Sequence, residues 1–167
     1  MTPEALLEHL GGLGIEYTLH RHPPLLTVED SKALRGTLPG GHCKNLFLKD
    51  KKDNMWLLVC LEDRRIDLKA LGAAIGGARL SFGSPDRLMR VLGIKPGAVS
   101  PFALINDSAC SVKVLLDQEM MALRPLNYHP LSNDMTIAVE PEDLARFIEA
   151  CGHVSEVIDL SDISPKT

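Results

Sequence analysis

A chain of 167 residues with 45% apolar and 24% charged residues can bury a core as one domain and lacks the composition of a disordered protein. Its net charge of −4 argues against general coating of nucleic acid. Apolar runs such as Met55–Leu61 are far too short to cross a bilayer, and the start MTPEALLEHL has no basic region of the kind a signal peptide carries, so a cytoplasmic protein is expected.

Residues 3–13 read as a helix, with Thr2 as cap, Pro3 at the first position and Gly11-Gly12 at the end. Ile15 to Arg21 alternates as a strand, and His22-Pro23-Pro24 turns the chain. Thr27 starts a short helix with Asp30 in a capping-box place, and Arg35 to Gly41 is a Gly/Pro loop. Cys43–Leu48 and Met55–Leu61 form a hairpin with a charged tip at residues 49–54. Asp67 caps a helix to Ala74, and Arg79–Phe82 is a short strand. Ser84 and Pro85 open a helix that Gly93 stops.

Val99–Ile105 and Val112–Leu116 read as strands joined by a turn at Asn106-Asp107-Ser108, and Asp117 begins a helical turn. Tyr128 and Met135–Val139 flank a second turn. Pro141 opens an amphipathic helix through Cys151, and Val154–Leu160 closes as a strand before a loose tail from about residue 161. Interleaved strands and helices with tight turns predict a single α/β domain, α+β-like in its hairpins, with a mixed sheet flanked by helices.

The charge is uneven. His20–Lys52 holds seven Lys/Arg against three acids, and Asp134–Leu160 holds seven acids against one Arg, so a basic and an acidic face are expected. The four cysteines form no CxxC pair and read as reduced thiols in or near the core. Cys43 beside Lys44 is a weak alternative as a nucleophile, since no base is close in sequence. His20 and His22 share a strand face, but no HExxH or CxxC accompanies them, so no metal site is expected. Ser84 and Ser100 lie outside any GxSxG, and no GxGxxG or Walker loop is present.

Three polar motifs remain in apolar surroundings. Lys44-Asn45 sits inside a strand, where an ammonium either snorkels outward or meets a phosphate or carbonyl oxygen. Gly97-Ala98-Val99-Ser100-Pro101 has backbone that a ligand can approach, because Gly97 has no side chain to bar it. His129 before Pro130 is held extended, as a donor, an acid/base or a turn residue. Taken singly, each also has a plainer reading as an exposed lysine, a loop or a turn.

Together with their surroundings these motifs carry a resemblance. HRHPPLLTVEDSKALRG, GGHCKNLFLKD, LMRVLGIKPGAVSPFALINDS, LLDQEM, NYHPLSNDMTIAV and DLARFIEACGH occur in order from about residue 15 to 155. The chain resembles the YbaK/prolyl-tRNA synthetase associated family of aminoacyl-tRNA editing domains, most closely its free-standing Ala-tRNA(Pro) deacylase branch. That resemblance implies a mixed, partly curled sheet and hydrolysis of the ester joining a wrong amino acid to tRNA(Pro), with no cofactor and no metal. Cys-tRNA(Pro) or another small-residue ester is the alternative substrate, and a non-catalytic RNA- or protein-binding module is the alternative of another class.

The resemblance also implies site residues. Lys44 and Asn45 match the pocket positions near the RNA end. Gly97 and Pro101 bound the GxxxP loop, which with Ala98 and Ser100 holds the ester and positions water. His129 matches the histidine that shapes the amino-acid pocket, and Thr27 is expected at the substrate. No strong side-chain base is implied, the neighbouring ribose hydroxyl assisting instead. Arg21, Lys49, Lys51, Lys52 and Arg79 are candidates for acceptor-stem phosphates. The expected partner is the tRNA(Pro) acceptor end, with prolyl-tRNA synthetase or an elongation factor as further partners.

Overall fold

A computed structural model describes residues 1–24, 33, 38–161 and 163. Among these, eight strands form one mixed sheet. They are β1 (Thr18–Arg21), β2 (Gly41–Lys49), β3 (Met55–Leu61), β4 (Ser81–Phe82), β5 (Val112–Asp117), β6 (Leu126–Tyr128), β7 (Met135–Val139) and β8 (Ser155–Ile158). The order is β1-β7-β6-β2-β3-β5-β8, with β4 against β2. β6–β2, β3–β5 and β5–β8 are parallel, and the remaining pairs are antiparallel.

The helices are α1 (Pro3–Gly12), α2 (Leu68–Ala74), α3 (Pro85–Leu92) and α4 (Pro141–Ala150). Local chemistry sets their ends. Thr2 Oγ1 accepts from the Ala5 amide and Ser84 Oγ from the Arg87 amide, both at 3.1 Å. Asp67 accepts from Lys69. Gly93 ends α3 with φ of +67°, a left-handed conformation that suits glycine.

Strand β2 occupies the centre of the sheet. It pairs with β3 from Cys43 to Lys49 along one edge. Its other edge meets β6 at Gly41–His42 and β4 at Leu48–Lys49. Between those contacts, residues 43–46 have no strand partner on that edge among the described residues.

Each sheet face carries its own core. One packs α1, α3 and α4 around Phe47, Leu57, Val59, Phe102, Tyr128 and Ile137. The other packs α2 through Leu71 against Leu48, Trp56, Leu58, Cys60 and Leu115. The alternation Asn45, Phe47 against Lys44, Leu46, Leu48 assigns the two sides of β2.

Five segments depart from the sequence reading. Val99–Ile105 is not a strand; Pro101–Asn106 is a 3₁₀ helix, capped by the Ser100 hydroxyl, which accepts from the Phe102 amide at 3.1 Å. Pro101 cannot donate to a strand ladder, and a run buried as completely as Phe102-Ala103-Leu104 shows no period to separate helix from strand. Asp117 ends β5, and the helical turn falls at Met120–Ala122. Strand boundaries also contract: Ile15–Arg21 to Thr18–Arg21, Arg79–Phe82 to Ser81–Phe82, and Val154–Leu160 to Ser155–Ile158. The helix expected from Thr27 lies outside the described residues.

A buried polar knot fixes the end of the 3₁₀ segment. Asp107 accepts from Ser111 Oγ at 2.8 Å, the Val112 amide at 2.9 Å and His153 Nε2 at 3.0 Å. Burial pushes its carboxyl up, but these hydrogen bonds outweigh it and hold it below the ordinary value.

Phe102 is 1% exposed and stacks edge-on with Phe147 and Tyr128, at ring-centre distances of 4.9 and 6.0 Å. Phe102→Ala is expected to lower stability by about 3–5 kcal/mol, read as a shifted urea midpoint at unchanged slope. A loss below about 1 kcal/mol would mean that Phe102 does not anchor the core beneath the loop.

Candidate functional site

The gap on β2 contains the first motif. Asn45 points to the α1/α3/α4 side and Lys44 to the opposite side, because successive strand residues alternate. Asn45 Nδ2 donates to the Val99 carbonyl at 3.1 Å. That single bond ties β2 to the second motif. With Nδ2 committed, Oδ1 is the acceptor, and it is buried with no partner among the described residues.

The second motif is a pair of short turns. Pro96–Ala98 is a 3₁₀ turn closed by the Ala98 amide on the Lys95 carbonyl at 3.0 Å. Val99 and Ser100 are extended, and Ser100 is fully buried under its capping bond to Phe102. Gly97 faces open space: a Cβ there would meet no atom within 4 Å. Gly97 and Ala98 line a cleft of about 480 Å³ together with Lys95 and Leu131-Ser132-Asn133. The third motif leads directly into the last three of those residues.

His129 follows β6 and is half-buried. β2 and β6 pair in parallel with Gly41 opposite Leu126 and His42 opposite Asn127. The pairing stops there, so Lys44 lies two residues beyond the last pair on β2 and His129 two residues beyond it after β6. Lys44 Nζ donates to the Arg64 carbonyl, and Arg64 in turn bridges Asp117 and Glu119. No contact links Lys44 to Gly97 or His129 among the described residues. The loop is instead tied to β2 through Asn45 and shares its cleft with the segment after His129.

His129 Nδ1 lies 2.9 Å from the Met135 carbonyl, so it carries the proton and Nε2 remains an acceptor. The His22 ring stands edge-on at 6.2 Å and is itself held by Thr136 Oγ1 at 2.9 Å and the Pro23 carbonyl at 2.8 Å. Desolvation lowers the His129 pKa; the bond to Met135 opposes this, and the neighbouring His22 adds to it. His22 and Thr136 were not among the sequence candidates. The HxHPP alternation marked His22 as sharing a face with His20, but only the β1–β7 register brings it to His129.

Cys43 is no nucleophile at neutral pH: burial pushes its thiol up to about 12. No cluster of three or more His, Cys, Asp or Glu among the described residues is arranged to hold a metal. The five basic candidates separate. Lys51, Lys52 and Arg79 line one cleft. Lys49 lies on the opposite face of β2, opposite Met55, and Arg21 lies on β1 with Nη1 at 3.5 Å from Met135 Sδ. Thr27 lies outside the described residues.

With its pKa below the ordinary 6.5, His129 is neutral at pH 7. The stability it contributes is full above 6.5 and is lost as the pH falls through the lowered folded value. Its ring-proton NMR titration is expected to have a midpoint below 6.5; a midpoint at or above that value would refute the desolvated setting.

A family model described as "Aminoacyl-tRNA editing domain" matches residues 22–147. The "Prolyl-tRNA editing protein ProX" of Acetoanaerobium sticklandii is 37% identical over 158 residues, covering 94% of this chain and 96% of that protein. The "Multifunctional Ser/Thr-tRNA deacylase ProXp-y" of Escherichia coli K12 is 29% identical over 106 residues, covering 62% of this chain and 64% of that protein. A solved structure, that of the hypothetical protein APE2540, shares the fold with a TM-score of 0.71 at 19% identity, covering 90% of this chain and 95% of that one. A matching model that spans the β2 gap, the Gly97–Pro101 loop and His129, together with a relative alike over nearly its whole length, places this chain in the aminoacyl-tRNA editing-domain family.

Proposed function

We propose that this protein hydrolyses the ester of mischarged tRNA(Pro) in trans, with Ala-tRNA(Pro) as its substrate. The observation that carries the reading is the Gly97–Ala98 cleft, open above Gly97 and anchored to β2 by Asn45, within a chain of the editing family.

In this reading the terminal adenosine enters at the seam between β2 and β6, with Lys44 toward its phosphate. The aminoacyl carbonyl lies against the Gly97–Pro101 backbone. Water adds to the carbonyl carbon, charge develops on the carbonyl oxygen, and the ester bond to the ribose oxygen breaks to release free amino acid. Backbone amides of the loop suit that developing charge, because they are oriented before reaction. Asn45 Oδ1, buried and without a partner among the described residues, is the acceptor that this reading assigns to a substrate N–H or O–H. Neutral His129 borders the amino-acid side, its Nε2 available as an acceptor. A neighbouring ribose hydroxyl of the substrate assists the water, so no side-chain nucleophile is needed. A methyl group fits a small pocket, and proline is rejected by shape. Apolar contact alone separates side chains by only about 1–3 kcal/mol per methylene, so steric exclusion does much of the sorting. The similarity to a Ser/Thr-tRNA deacylase favours a second reading with a small hydroxylated amino acid in the same pocket.

Purified protein should release alanine from Ala-tRNA(Pro) faster than cysteine, serine, threonine or proline from the same tRNA. Faster serine or threonine release would favour the second reading, and no release above background on any of them would overturn the enzyme. Gly97→Ala is a clean probe, since its added methyl meets no atom within 4 Å: the unfolding free energy from urea titration should stay within about 0.5 kcal/mol of wild type while kcat/KM falls. Unchanged kcat/KM would move the substrate away from Gly97. Lys44→Ala should lower kcat/KM about 10- to 100-fold with an unchanged circular dichroism spectrum, as loss of one hydrogen bond to a charged phosphate does. His129→Ala should change the amino-acid preference, and if neither rate nor preference moves, His129 is structural.

A further inference from the structure

A second cleft, of about 420 Å³, opens at the tip of the β2–β3 hairpin, on the α2 face of the sheet. Four cationic side chains surround it. Lys51 and Lys52 come from the hairpin tip, Arg79 from the segment after α2, and Lys113 from β5. All four are exposed, and none forms an ion pair within 4 Å among the described residues. The one carboxylate lining the cleft, Asp50, is consumed by the turn. It accepts from the Lys52 amide, the Asn54 amide and Asn54 Nδ2, each at 2.9 Å.

The floor and rim suit a ligand that is anionic and extended. Lys113 Nζ stands 5.7 Å over the Trp56 ring, so an aromatic surface adjoins the cations. Gly76 and Gly77 have φ of +109° and +88°, and a Cβ on either would meet nothing within 4 Å, so bare backbone forms the rim. Such a cluster within a chain of net charge −4 is a local field and not a general property of the surface. From Lys44 to Asp50 along β2 the separation is on the order of 20 Å at about 3.3 Å per residue. One terminal nucleotide held at the seam does not also fill this cleft.

We propose that the Lys51, Lys52, Arg79 and Lys113 cleft grips the phosphodiester backbone of the RNA away from its aminoacylated end. The choice of RNA rests on the deacylase reading above. Phosphate contacts of this kind position the RNA and are salt-sensitive, and the base sequence does not enter.

The test measures binding and not hydrolysis, so its failure is distinct from failure of the deacylase reading. Uncharged tRNA, the trinucleotide CCA, inorganic phosphate and ATP are titrated against wild type and against the variant K51A/K52A/R79A/K113A, with folding checked by urea midpoint. Wild type is expected to bind tRNA at least tenfold more tightly than CCA. The variant should lose at least tenfold in tRNA affinity, keep its affinity for CCA, and show a log–log salt slope shallower by about 3, at roughly 0.7–0.9 for each of the lost phosphate contacts. An unchanged tRNA affinity and slope would overturn the proposal. So would ATP or phosphate binding to the cleft more tightly than tRNA, which would assign it to a free phosphate ligand.

Discussion

The interrupted edge of β2 is the constraint on which the rest depends. β2 must pair with β3 along its length, yet its other edge is shared between β6 at one end and β4 at the other. Because β6 runs parallel and soon ends, residues 43–46 have no strand partner on that edge among the described residues. Pleating then directs Asn45 and Lys44 to opposite sides of the seam. One side chain holds the Gly97–Pro101 loop while the other reaches the Arg64 carbonyl on the opposite side.

The loop has its own foundation. Ser100, buried and capping, starts the 3₁₀ helix whose Phe102 reaches the centre of the larger core. The other end of that helix is pinned by Asp107 and His153. Gly97 is thus the open end of a segment fixed at Val99, Ser100 and Asp107. The flexible-looking GAVSP sequence is held by one bond to a strand, one cap and one aromatic ring. A site that works by orientation gains from support of this kind, since its groups need no rearrangement as charge develops.

Much of this was legible in the sequence because the signals were local. Thr2-Pro3, Ser84-Pro85 and Gly93 are capping chemistry, and the structure uses them as such. The two apolar runs around a charged tip give the β2–β3 hairpin, and Met55–Leu61 is β3 to the residue. What could not be read was anything set by pairing at long range. The seam arises from a parallel β2–β6 register between segments some eighty residues apart. The His22–His129 contact needs β1, β7 and β6 in register. Val99–Ile105 misled because a run buried on all sides carries no period, and its fate turned on Ser100 as a cap and Pro101 as a missing donor. Lys113 escaped notice among the basic candidates because it is alone in its segment, and only the β3–β5 pairing sets it over Trp56.

The gap in β2 has a consequence for the behaviour of the protein in concentrated solution. Unpaired strand edges are templates for a strand from another molecule, and proteins normally blunt them with charge, short length or cover. Among the described residues the opening is four residues long and closed at both ends by the protein's own strands, β6 and β4. A lysine stands within it, and Asn45 draws the Val99 loop across one side. An incoming chain would find too few residues to form a stable ladder. Among the described residues the fold therefore keeps this stretch of edge too short to template a second chain, which a sheet with a fully open edge could not do.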